Sequence, residues 1–155
     1  MDFDDRPSGP AADETLAASP LPPYVATALH ALRAYLAREL RELSVPLHLD
    51  GITPFQRRVY ERLLEIPYGQ VVTYGQIAAG IGIEPGGARA VGQAVGANPV
   101  PILIPCHRVV ASDGRLAGFG GGLARKALLL SLEGVEVDGV RATSRVHPEV
   151  LRLAL

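Results

Sequence analysis

Asn98-Pro99-Val100-Pro101-Ile102-Leu103-Ile104-Pro105-Cys106-His107-Arg108-Val109-Val110 is the stretch from which the rest of the chain is read. Cys106 is the single cysteine in 155 residues. It follows an apolar run, 102–104, fenced by Pro99, Pro101 and Pro105. Prolines so placed remove backbone donors and bar helix, so the run is expected as an extended, edge-like segment ending in a turn. A thiol there, beside the imidazole of His107 and the guanidinium of Arg108, has the surroundings of a reactive cysteine, because nearby positive charge favours the nucleophilic thiolate. Neighbours on a strand point to opposite faces, so His107 can act on Cys106 only at a turn or through a water. The plain alternative is that a lone cysteine is a small hydrophobe of the core.

The length suits one domain with a small appendage. An apolar content of 48% supplies a core, and no apolar run reaches the roughly 18 residues of a membrane span. The acidic start, Met1-Asp2-Phe3-Asp4-Asp5, lacks the basic-then-apolar plan of a secretory signal. One cysteine rules out an internal disulfide and leaves no cysteine-rich zinc site, and no metal is expected. A thiol that must stay free fits a reducing, cytoplasmic compartment. The net charge of −1 gives no general affinity for nucleic acid, yet it is unevenly spread. Residues 1–20 are acidic, whereas between Pro54 and Lys126 eight cations stand against four acids. A basic surface there could meet a phosphate backbone, although an ordinary solvated surface would carry the same charges.

Taken in order, residues 1–21 read as a disordered acidic leader, rich in Asp, Pro, Ala and Ser without an apolar period. Val25, Leu29, Leu32, Leu36, Leu40 and Leu43 then recur at three- and four-residue steps, which predicts an amphipathic helix over 23–43, closed by Pro46 and followed by a linker to residue 50. Thr53-Pro54-Phe55-Gln56 is a capping-box helix start, and Pro67 ends that helix. Thr73-Tyr74-Gly75-Gln76 repeats the arrangement and opens a short helix. After a glycine-rich bend, a second helix is expected from Gly87 to Ala97, and the pair reads as a helix-turn-helix. Ala88, Ala90, Gly92 and Ala94 make that second helix small-faced, with Arg89 its one charge. It suits either a tight helix–helix contact or a narrow nucleic-acid groove. Val109-Val110 is strand-like, with Leu116-Ala117 a candidate to pair back. Phe119-Gly120-Gly121-Gly122 is a flexible loop, and a helix bearing Lys126 runs from Leu123 to Glu133 before Gly134 stops it. Residues 135–140 suggest a small Asp-Gly hairpin, and 141–155 carry little signal beyond a tail.

The stretch 98–110 closely resembles the active-site signature of the O6-alkylguanine-DNA alkyltransferases (methylated-DNA–protein-cysteine methyltransferases). The likeness extends from Gly51 to Gly134 and takes in Thr-Pro-Phe-Gln-Arg, Ile-Pro-Tyr-Gly, Thr-Tyr-Gly-Gln-Ile-Ala and Ala-Arg-Ala-Val-Gly, in the family's order and spacing. It implies a mainly helical α/β fold, with a winged-helix-like domain over 51–140 that contains the helix-turn-helix, and a helical remnant of the family's N-terminal domain before it. It implies DNA repair by a single, irreversible transfer of an alkyl group from guanine O6 in double-stranded DNA to Cys106, by a monomer and without a cofactor. His107, linked to Cys106 through water and oriented by Glu133, would take the thiol proton. Otherwise Glu133 reads as a surface charge at a helix end.

The target atom is buried in the base stack, so the nucleotide must be flipped out. By the resemblance Arg89 would take the vacated place and Tyr74 would press on the phosphate and the flipped base. Asn98 would brace the turn before the active site. Ala88, Ala90 and Gly92 would line the minor-groove face. Arg108, Val109, Phe119, Gly120, Gly121 and Lys126 would border the pocket or the DNA. Phe119 stands where the family usually has tyrosine, and Gly120 replaces a small or hydroxylated residue. The region before Gly51 is short for the family's sheet-bearing N-terminal domain. The main alternative is a non-enzymatic module that binds alkyl lesions and recruits other factors. A thiol hydrolase lacks an oxyanion-hole motif here, and a transcription factor would carry more polar groups on its reading helix.

Overall fold

The computed structural model describes residues 21–83 and 86–147. The expected leader, apart from Leu21, and the last eight residues of the expected tail lie outside them. Helix α1 (Pro23–Leu36) begins on two prolines that suit a first helical turn. It is shorter than the leucine period predicts. Arg38 adopts a φ of 62° and the amides of Glu39 and Leu40 bond back to the Ala34 carbonyl, so Leu40 folds onto the last turn instead of extending it. Leu29 and Leu36 of the predicted buried stripe are exposed, and the residue α1 buries is Tyr35.

Helix α2 (Pro54–Leu64) has the expected capping box. The Gln56 amide donates to Thr53 Oγ1 at 3.1 Å, and the Thr53 amide donates to Gln56 Oε1 at 2.8 Å. The same device recurs where β1 (Val72–Thr73) passes into α3 (Tyr74–Gly80), with Thr73 and Gln76 exchanging bonds of 3.2 and 2.7 Å. Reciprocal capping satisfies two otherwise orphaned donors and fixes where each helix starts. Helix α4 (Gly87–Gly96) packs on α3 and α2. A 3₁₀ turn (Cys106–Arg108) leads into β2 (Val109–Val110), and α5 (Leu123–Leu132) follows. At its end Gly134 takes a φ of 84°, with its amide on Ser131 O and that of Val135 on Leu130 O, the left-handed helix stop that glycine accommodates best.

Strand β1 lies parallel to β2, with Val72 beside Val109 and Thr73 beside Val110. Two-residue strands are too short to show an alternating pattern, so this pairing could not be read from sequence. Its effect is large. It sets the first turn of α3 beside the cysteine segment and divides the interior in two. One apolar cluster gathers Val59, Tyr60, Leu63, Ile77, Val91 and Cys106 between α2, α3 and α4, while the other gathers Val71, Val110, Leu116, Leu130, Val135 and Val146 around α5.

Three expectations are corrected. Residues 102–104 are not extended. Pro101 bridges Ile104 across a tight turn in which Ile102 has a φ of 77°, a strained value for a β-branched residue. Leu116 does not pair back on β2, since its amide bonds to Ser144 O at 2.9 Å. The reversal after Val137 is wider than a two-residue Asp-Gly hairpin, because Val137 bridges Val146. Through these contacts Ser144 and Val146 are buried parts of the fold.

Candidate active site

The turn that presents Cys106 is held by Asn98. Its Nδ2 donates to Ile104 O at 2.9 Å and its Oδ1 accepts the Val100 amide at 3.1 Å. One side chain at the end of α4 thus closes the proline-rich loop from both sides. Past Pro105 the chain enters the 3₁₀ turn rather than a strand, so Cys106 and His107 are not forced onto opposite faces. Cys106 is 4% exposed. Burial pushes its thiol pKa up, opposed by a hydrogen bond from Asn98 and by the positive charge of Lys126. The thiol is therefore protonated at rest and needs a base to become a nucleophile.

Behind it lies an imidazole held by a carboxylate. Glu133, expected as a surface charge were it not for the family, is buried. Its Oε1 accepts from Tyr35 OH at 2.6 Å, His107 Nε2 at 2.8 Å and Arg108 Nη2 at 2.9 Å. Its Oε2 accepts from Arg108 Nε and from the Gly69 amide, each at 3.0 Å. Burial alone would raise the Glu133 pKa, but these donors outweigh it and hold the carboxyl at about 2. Burial lowers the pKa of His107, against the pull of Glu133, so the ring rests neutral. With Nε2 turned to a carboxylate, Nε2 carries the proton and Nδ1 keeps its lone pair. Nδ1 is buried and has no protein partner among the described residues, so its lone pair is open to a proton.

Two predicted contacts are corrected. Arg108 does not line the cleft in front of Cys106 or lend its charge to the thiol, because its guanidinium is committed to Glu133 and to Ile66 O at 2.5 Å. Lys126 is fully buried, with Nζ donating to Val109 O and to Leu116 O at 2.5 Å. It ties β2 to the segment beyond it and supplies the charge that Cys106 feels. Burial lowers its own pKa to about 8. Its partner Val109 is equally buried, with its carbonyl occupied by this ammonium.

In front of Cys106 lies a cleft of about 700 Å³, mostly apolar, lined by Tyr74, Ala88, Arg89, Gly92, Phe119 and Gly120 among others. The two readings of the small-faced helix separate here. A Cβ on Gly87 would come within 2.5 Å of Ile83 in the turn and 3.0 Å of Ala78 on α3, so that glycine lets α4 pack closely on both. A Cβ on Gly92 would meet only the Tyr74 ring at 3.9 Å, so nothing inside the protein demands glycine there. Ala88, Arg89 and Ala90 are exposed. Across the cleft, Gly121 approaches the Phe119 ring so closely that a Cβ would lie 2.8 Å from it, while Gly120 has open space. Ala90 and Gly121 border this face without lining the cleft. Ala111, Ser112, Ala117 and Gly118 line it without having been singled out. Their chemistry is plain, and only the fold brings them there. Tyr35 was missed for the opposite reason, since it lies off the leucine stripe and 98 residues from its partner.

Fold and site together define a protein that offers a buried cysteine to whatever a helix-turn-helix delivers. Comparison with known proteins makes this specific. The 6-O-methylguanine DNA methyltransferase, DNA binding domain, matches residues 54–135. A methylated-DNA–protein-cysteine methyltransferase of Mycobacterium tuberculosis is 52% identical over 115 residues, which cover 74% of this chain and 68% of that protein. The crystal structure of Mycobacterium tuberculosis OGT in complex with DNA superposes with a TM-score of 0.67 at 54% identity, covering 70% of this chain and 66% of that one. S. pombe Atl1, solved with damaged DNA containing O6-carboxymethylguanine, gives 0.54 at 34% identity, covering 68% of this chain and 97% of that one. The chain thus spans about two thirds of the length of its methyltransferase relatives. It belongs to the O6-methylguanine-DNA methyltransferase family.

Proposed function

We propose that this protein repairs DNA by direct reversal, taking a methyl group from O6 of guanine onto Cys106 in a single turnover. The observation that carries this reading is the orphaned Nδ1 of His107 on a ring fixed by Glu133, beside a cysteine at the edge of the cleft. In the reaction the thiol proton passes through a water to Nδ1. The resulting imidazolium is stabilised by the carboxylate, and Lys126 stabilises the thiolate. The sulfur forms a bond to the methyl carbon as the carbon–oxygen bond breaks. The bonding pair stays on the guanine oxygen. The proton held by the imidazolium is returned through water to guanine N1, which restores the ordinary base and leaves His107 neutral. The protein keeps a thioether, which has no leaving route, so each molecule acts once.

For the substrate we infer a flipped nucleotide in duplex DNA. The cleft is apolar enough for a base, and its rim carries Arg89 and the small residues of α4. The small, weakly polar face suits a minor groove, which carries little sequence code and so fits a reader of damage. We infer that it works in the cytoplasm, at the nucleoid, since its substrate is chromosomal DNA. Among the described residues no helix is long and apolar enough to cross a membrane. The DNA-side test is to incubate a duplex bearing one O6-methylguanine with a stoichiometric amount of protein and digest it to nucleosides. Loss of the methylated nucleoside in one-to-one proportion, with guanine recovered, is the expected result. Lesion binding without any loss would instead support the non-enzymatic module.

A further inference from the structure

Helix α1 presents much of its surface to solvent, with Tyr24 at 70%, Leu29 at 39% and Leu36 at 52% exposure. Its buried residue, Tyr35, is also the one that reaches the site. The ring meets Tyr68 edge-on, with centroids 6.1 Å apart at 83°. Tyr68 in turn donates to Leu132 O at 2.9 Å, one residue before Glu133, and lies 6.0 Å from the Arg108 guanidinium. The hydroxyl of Tyr35 makes the shortest bond to the carboxylate and lies 3.4 Å from His107 Nε2.

We propose that Tyr35 is a positioning residue for the transfer: its hydroxyl holds the Glu133 carboxylate, and through it the His107 ring, so that the N-terminal helix is a working part of the thiol-activating device. Two hydrogen bonds compete for one carboxylate oxygen. Tyr35 OH and His107 Nε2 face the same oxygen, and both satisfy it only as donors. The hydroxyl therefore suits the tautomer with the proton on Nε2. In the other tautomer Nε2 becomes an acceptor, and Tyr35 could turn to it and leave the carboxylate. Tyr35 cannot substitute for the base itself, because beside a carboxylate it stays protonated. Its effect passes through the ring orientation and the availability of Nδ1. This proposal rests on the alkyl-acceptor reading for the role of His107, but part of its test does not involve DNA.

The variant is Tyr35→Phe in the full chain, which keeps the ring against Tyr68 and removes only the hydroxyl, with Tyr35→Ala beside it. Three quantities are measured: the methyl-transfer rate with a lesion-bearing duplex, the affinity for that duplex, and the tautomer of His107 by long-range proton–nitrogen NMR. The groups facing the ring are Glu133, Arg108 and Tyr35, with the charge of Lys126 nearby. A general base contributes about 10²–10⁴-fold, and loss of its orientation is expected to cost about tenfold of this. The expected result is that slowing in Tyr35→Phe, with lesion affinity unchanged and a proton signal emerging on Nδ1. A wild-type rate and unchanged tautomer in Tyr35→Phe, with loss only in Tyr35→Ala, would reduce Tyr35 to an anchor and overturn the proposal. Should Tyr35→Phe not fold, the wild-type protein decides, and a proton on Nδ1 there overturns it. A wild-type chain that accepts no methyl, but whose His107 tautomer responds to Tyr35→Phe, would sink the repair reading and leave the positioning role standing.

Discussion

Behind Cys106, the side chains of His107, Arg108, Lys126 and Glu133 are buried, and every charge among them has a partner. In front of it, Ala88, Arg89, Ala90 and Gly120 are exposed, and Arg89 makes no ion pair among the described residues. Both regions stand within reach of one thiol, and both carry cations. The difference lies in what each cation meets. Buried charge is tolerable only when compensated, so behind the cysteine the cations are absorbed in fixing a carboxylate and a set of carbonyls. Exposed charge costs little and remains available to a partner. On the proposed reading, one region sets when the thiol reacts and the other sets what reaches it.

Substitutions should separate the two. Cys106→Ala is expected to abolish methyl transfer and leave lesion binding intact, as read by gel-shift titration beside the transfer assay. Glu133→Gln should slow transfer by about 10²-fold, since the imidazole loses its orienting charge. It should also destabilise the fold by about 3 kcal/mol in urea unfolding, because Arg108 is left buried without a counter-charge. The pH dependence has a definite sign. The Glu133 pKa is depressed from 4.5 to about 2 on folding, so its stabilising contribution is complete above the ordinary value and is lost as pH falls toward about 2. That part of the acid-unfolding profile should vanish in Glu133→Gln.

Lys126→Met distinguishes a lysine that braces the fold from one that faces the duplex. Removing Nζ leaves the Val109 and Leu116 carbonyls unpaired, at about 2 kcal/mol of stability, while duplex affinity should not change. A loss of DNA affinity without a loss of stability would return Lys126 to the DNA face. The smallest effect belongs to Arg89→Ala. It should weaken duplex binding by about tenfold and reduce the slope of affinity against salt by about one. Alkylation of Cys106 by a small reagent should proceed at the unaltered rate. If that rate fell too, the separation between the two regions would fail.

What sequence could reveal followed the same division. Capping boxes at Thr53 and Thr73, the glycine stop at Gly134 and the small face of α4 are local patterns, and each was readable because its partners lie within a few residues. The roles of Arg108 and Lys126 were misread because a lysine or arginine near a cysteine looks alike whether it faces solvent or a carbonyl. Burial decides between these, and burial is set by residues far along the chain. Tyr35 shows the limit most clearly. Its stretch reads as a leucine-spaced helix, and the residue that matters stands off that spacing, joined to a carboxylate 98 residues away only in the folded chain. The turn at Ile102 was hidden by its own composition, since three apolar residues between prolines suggest an extended run until Asn98 is seen to close the loop.

Whether Cys106 is the covalent acceptor is read out by intact-protein mass spectrometry. Wild-type protein and Cys106→Ala would each be incubated with a duplex carrying one O6-methylguanine, then weighed whole and after digestion. The predicted result is a gain of one methyl group in the wild type, confined to the peptide containing Cys106 and absent from the variant. An unchanged wild-type mass after prolonged incubation with bound lesion, or a methyl group found on another residue, would contradict it.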